Sequence, residues 1–142
     1  MGAAASISVL AWLGVLSLYD IRTRRLPNWL TVPGAMAILV AAVAVDRGGP
    51  AVIGAIALAG LYLVVHLIAP RGMGAGDVKL ALGVGGLTGA LGYDVWVLAA
   101  IAAPLFTAMI ACAALVRRSK TPVPHGPSMC LAAVAAAMLS IV

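Results

Sequence analysis

Leu80-Ala81-Leu82-Gly83-Val84-Gly85-Gly86-Leu87-Thr88-Gly89-Ala90-Leu91-Gly92-Tyr93 is the stretch on which the architecture of this chain turns. It is uncharged but only 14 residues long, with five glycines, whereas a helix needs about 20 largely apolar residues to cross the hydrocarbon core of a bilayer. Taken alone it fits either a spanning helix or a re-entrant segment. Its neighbours are less ambiguous: uncharged runs at 2–19, 29–45, 51–69 and 95–116 read as spans, and 128–142 as a shorter final one. The charges between the runs arbitrate. Arg22, Arg24 and Arg25 follow the first run, Arg71 and Lys79 the third, and Arg117, Arg118 and Lys120 the fifth. If all six segments cross, these eight of the nine basic residues face one side and only Arg47 faces the other. Basic loops mark the cytoplasmic side, so both chain termini are expected outside. Were 80–93 not to cross, the cluster at 117–120 would lie outside, against that rule. The expected fold is therefore all-α, a polytopic membrane protein with six transmembrane helices. Within the decisive stretch, Gly85-x-x-x-Gly89 is a spacing that lets another helix approach closely.

Composition agrees with this reading. Of 142 residues, 64% are hydrophobic and 9% charged, against about 25% charged in an average soluble domain. So little charge cannot cover a water-soluble surface. The net charge of +5 comes from residues flanking apolar runs, which report membrane orientation rather than a nucleic-acid partner. The length accommodates one domain, 1–142. Cys112 and Cys130 lie in apolar runs without CxxC or Cys/His spacing and read as small buried hydrophobes, not as a disulfide or zinc site. No positive region precedes the first apolar run, so it reads as a retained helix and not a cleaved signal. The opening MGAAAS also fits a myristoylation pattern, which a spanning helix makes redundant.

Glu is absent, which leaves Asp20, Asp46, Asp77 and Asp94 to be weighed one by one. Asp20 ends the first apolar run, in Tyr19-Asp20-Ile21-Arg22-Thr23-Arg24-Arg25-Leu26-Pro27-Asn28, and by itself reads as a solvated cap or surface pair. Asp77 follows alternating glycines in Gly72-Met73-Gly74-Ala75-Gly76-Asp77-Val78-Lys79-Leu80. Those glycines permit unusual backbone conformations and close approaches, and the spacing matches neither a P-loop nor a dinucleotide fingerprint. Both acids follow odd-numbered helices, so the six-span topology puts them at one cytoplasmic depth. Two carboxyls there can share a proton, one acting as base toward water while the other polarises a carbonyl, which is the chemistry of peptide hydrolysis. Asp46 and Asp94 fall at the opposite face and read as loop and cap residues.

Three motifs, taken together, resemble the prepilin peptidases, intramembrane aspartic peptidases of the GxGD type. Asp20 with its basic stretch and Leu26-Pro27-Asn28 is similar to the first aspartate motif of that family. Gly74-Ala75-Gly76-Asp77-Val78-Lys79-Leu80 is similar to the second, GxGDxKL. Pro124-His125-Gly126-Pro127 resembles its Pro-Phe-Gly-Pro, with His125 where Phe is usual. The resemblance implies an aspartic endopeptidase that removes basic leader peptides from type IV pilin-like precursors at the cytoplasmic face of the inner membrane. It implies Asp20 and Asp77 as the catalytic pair, with Pro27, Asn28, Gly74, Gly76 and Lys79 as supporting motif residues. No cofactor or metal is implied; the partners are the precursor and the lipid bilayer. Many members carry an N-terminal region with paired cysteines and also methylate their product. This chain starts at helix one, so the short form, cleaving without methylating, is expected.

Other readings compete. A small transporter component would use Asp20 and Asp77 as proton or cation sites, but such sites favour the midplane and repeated halves. A presenilin-like enzyme shares Tyr19-Asp20 and GxGD in this order, yet the chain is short for that group and lacks its Pro-Ala-Leu motif. Lys79, two positions from Asp77, would not share its helix face and suits a lipid headgroup as well as a catalytic role. His66, inside the third run, reads first as a hydrogen-bonded structural histidine, and the loop Thr121–Pro127 as non-helical.

Overall fold

A computed structural model describes residues 3–118 and 123–139. Lys120, the tip of the 121–127 loop and the last residues of the final run lie outside the described residues. The described residues form six helices, α1 (Ala3–Thr23), α2 (Asn28–Ala44), α3 (Gly48–Ile68), α4 (Ala75–Leu91), α5 (Tyr93–Val116) and α6 (Gly126–Leu139), and no strand. Helices α1, α3 and α5 are long and apolar enough to cross a membrane, while α2 and α6 are shorter apolar helices. Large apolar side chains such as Ile53, Ile56, Leu67, Leu105 and Leu115 face outward. The interior holds many small residues beside its Leu, Val and Met, and also the polar Asp20, Thr31, Asp77, Thr88 and Ser128. An apolar outside suits a bilayer-embedded bundle, because lipid tails solvate Leu and Ile as well as a protein core does. The protein is embedded in the membrane.

The ambiguous segment forms the centre. Helix α4 begins at Ala75, five residues before the uncharged stretch, and its 17 residues span about 25 Å. Its first turn lies against Leu26 and Asn28 beside the α1–α2 connection. Near its other end Gly89 meets Pro50 at the start of α3. It therefore runs the height of the bundle and does not re-enter. Ten of its residues are buried, from Asp77 to Gly89, so protein rather than lipid surrounds it and it can be shorter and less apolar than its neighbours. Glycines make that placement possible: a Cβ on Gly85 would sit 2.9 Å from the Leu58 Cβ and closer still to the Gly54 carbonyl oxygen. Without side chains there, α3 and α4 pack backbone to backbone and antiparallel. The Trp96 indole N–H adds a 3.0 Å bond to the same Gly54 carbonyl.

Helix α1 stands on the far side of α4 with no close backbone approach to it; it rests on α6 and touches α2. Trp12 bridges the gap, its indole N–H donating to the Leu30 carbonyl at 3.0 Å and its ring filling the space beside Gly34 and Gly83. Leu13, Leu16, Leu80, Val84 and Met129 fill the middle of the bundle. The cysteines divide: Cys130 is buried as expected, but Cys112 lies on the exposed face of α5, because an apolar surface residue is as well solvated by lipid as by a core.

Candidate active site

Helix α1 continues past Asp20 to Thr23, so this carboxylate sits in the last turn of the helix and not after it. Arg24 then takes a left-handed conformation, φ 52°, and its N–H closes on the Asp20 carbonyl at 2.9 Å, ending the helix. Pro27 starts the next one: its carbonyl accepts the N–H groups of Leu30 and Thr31 at 3.1 Å each, and a proline here loses no helical hydrogen bond. Tyr19 and Trp29 meet edge to face, centroids 6.0 Å apart, across this turn.

Asp77 occupies the first turn of α4. Its Oδ2 accepts the Gly74 N–H at 3.1 Å, while its own N–H donates to the Gly74 carbonyl at 3.1 Å. The side chain thus satisfies one of the orphan donors of the helix start. Of the alternating glycines, none has a positive φ. The close approach is the part realised: a Cβ on Gly76 would lie 3.2 Å from the Leu26 Cβ, so α4 can nestle against the basic turn.

Between the two helix ends lies a cavity of about 320 Å³ lined by Asp20, Arg24, Arg25, Leu26, Gly74, Ala75, Gly76, Asp77 and Lys79. Asp20 is 7% exposed and Asp77 8%, so both carboxyls are withdrawn from the surface yet open to this space. Each lies within electrostatic reach of the other. Leu16, one turn before Asp20, and Leu80, one turn after Asp77, are fully buried in the apolar core. Lys79 shares the cavity wall with Asp77 despite the two-residue spacing, and its Nζ donates to the Asn28 Oδ1 at 2.8 Å. The residues expected from the sequence, Asp20, Pro27, Asn28, Gly74, Gly76, Asp77 and Lys79, thus converge at one end of the bundle. Asp46 and Asp94 lie at the other end, in the α2–α3 turn and the first turn of α5.

A family model described as the type IV leader peptidase family matches residues 7–141, nearly the whole chain. The chain belongs to that family. No match to a curated protein or to a solved structure was found. Membership makes the protein a leader-peptidase-type protease, and its two motif segments are those that meet around the cavity.

In this leader-peptidase family member, groups outside the two aspartate motifs also reach this end of the bundle. The Gly126 N–H, at the start of α6, donates to the Asp20 Oδ2 at 3.0 Å. His125 beside it bonds Tyr62 of α3 and Thr107 of α5, and burial holds its pKa below the ordinary histidine value. Tyr62 and Thr107 are polar groups inside apolar helices, a signal that would have raised them. His66 has a structural bond, its Nδ1 lying 2.7 Å from the Met73 carbonyl oxygen, which ties the glycine loop to α3.

Proposed function

We propose that the protein is an aspartic endopeptidase in which Asp20 and Asp77 jointly hydrolyse the peptide bond joining a basic leader to a pilin-like precursor. The observation that carries this is the cavity at the basic end of the bundle, onto which both buried carboxyls open. One carboxylate, ionised, takes a proton from a water whose oxygen attacks the scissile carbonyl carbon. The other, protonated, gives its proton to the carbonyl oxygen. Collapse of the tetrahedral adduct returns a proton to the leaving nitrogen. The Gly126 and Gly74 N–H groups orient the pair, and the Lys79–Asn28 bond holds the two motif segments together across the cavity.

The basic residues Arg22, Arg24, Arg25, Arg71, Lys79, Arg117 and Arg118 belong to connections at or near this end. That distribution supports a site at the cytoplasmic face of the inner membrane, with the chain termini outside. The ion-site reading of Asp20 and Asp77 is disfavoured by their position in the last turn of α1 and the first of α4, away from the middle of the bundle. Co-expression with pilin-like precursors tests the proposal: a leader-sized mobility shift should appear with the wild-type chain and be absent with Asp77→Asn.

A further inference from the structure

The loop that precedes α6 supplies Asp20 with a hydrogen bond through the backbone of a glycine, and a glycine has no side chain with which to anchor that backbone. The anchor is next to it. His125 lies between α3 and α5, with Nε2 2.8 Å from the Tyr62 Oη and Nδ1 2.6 Å from the Thr107 Oγ1. The Thr107 hydroxyl is also 3.1 Å from the Ala103 carbonyl oxygen. That carbonyl can only accept; with the single hydroxyl proton of Thr107 given to it, the Thr107 oxygen is left to accept from His125. Nδ1 then carries the ring proton, and Nε2 presents its lone pair to the Tyr62 hydroxyl. In this arrangement Tyr62 donates to His125, His125 to Thr107 and Thr107 to Ala103, and every hydroxyl and ring N–H is used. The opposite tautomer leaves Thr107 with two acceptors for one proton.

We infer that His125 is a positioning residue, a neutral Nδ1–H imidazole clamped between Tyr62 and Thr107 that holds the Gly126 N–H on the Asp20 carboxylate. The inference rests on Asp20 being one of the reacting carboxyls. The chain of bonds ties α3 and α5 to α6 at the level of the cavity, and through Gly126 to α1. Four helices thereby fix one carboxylate. The groups that meet the ring are Tyr62 from α3 and Thr107 from α5, and Tyr62 in turn lies within electrostatic reach of Asp77 from α4. A ring with both nitrogens protonated loses the acceptor for Tyr62, and the burial of His125 opposes that form.

The experiment uses the full chain in detergent, with ¹⁵N-labelled histidine for NMR and a pilin-like precursor for cleavage kinetics. At neutral pH the His125 ring should give the signature of the Nδ1–H tautomer. Thr107→Val removes the acceptor at nearly constant volume and should lower kcat about tenfold or more with KM changed by less than about twofold, as for a misplaced reacting group. His125→Leu should do the same. His125→Asn, whose amide nitrogen falls where Nδ1 lies, should retain more of kcat than His125→Leu. An Nε2–H tautomer, or wild-type kcat in a well-folded Thr107→Val or His125→Leu, would overturn the inference. A wild-type chain that cleaves no precursor would instead count against the peptidase reading, and the tautomer would still be decided by NMR.

Discussion

A Cβ at position 126 would lie 2.6 Å from the Asp20 Oδ2 and 3.1 Å from its Cγ. Gly126→Ala is therefore expected to push the carboxylate out of line and to cut cleavage at least about tenfold while the protein still inserts, measured as precursor processing per unit of membrane-embedded enzyme. His125 makes a separate prediction about pH. Its folded-state pKa is lowered by burial, so between that value and about 6.5, the ordinary histidine value, the unfolded chain binds a proton that the folded chain does not. Stability is then highest above about 6.5 and falls as pH drops through that window. The fall in unfolding temperature of the detergent-solubilised protein between pH 7.5 and pH 5 should be smaller in His125→Phe than in wild type. At this scale the acids were legible in the sequence because Glu is absent and each of the two aspartates sits in a motif. The Gly126 bond was not: its partners are 106 residues apart, and a backbone N–H leaves no mark on residue type.

Helix α4 is where hydropathy reading was weakest. The uncharged stretch starts at Leu80, but the helix starts at Ala75, because Asp77 closes its own first turn on Gly74 and Lys79 reaches across to Asn28. A hydropathy window counts both charges as an interruption. The glycine spacing was the better guide, since Gly85 and Gly89 are the residues that meet α3. A side chain there must separate two backbones, so Gly85→Leu should destabilise the bundle by at least about 1–3 kcal/mol, read as a lowered unfolding midpoint in detergent. Gly60, which has no neighbour within 4 Å of its would-be Cβ, should accept Ala at little cost. Crossing by α4 also sets the sides of the connections. In a background lacking Cys112 and Cys130, a cysteine at Arg24 or Arg118 should react with reagent on one side of the membrane and a cysteine at Gly49 on the other. Labelling of Arg24 and Arg118 from opposite sides would contradict the crossing.

For the whole molecule, the arrangement places what is costly in lipid where protein can satisfy it. Asp20, Asp77, Thr31 and Thr88 are buried, while much Ile, Leu and Val covers the outside. Trp12 reaches from α1 to α2 and α4, and at the basic end a cavity opens between α1 and α4 where Asp20 and Asp77 stand. The central claim is that these two carboxyls act as one catalytic unit. The most direct measurement is cleavage of a pilin-like precursor by wild type, Asp20→Asn, Asp77→Asn and the double variant, each checked for membrane insertion. The account predicts that either single change abolishes cleavage and that the double change is scarcely worse than one alone, as for groups working together. Near wild-type cleavage by a well-inserted Asp20→Asn or Asp77→Asn protein would contradict it.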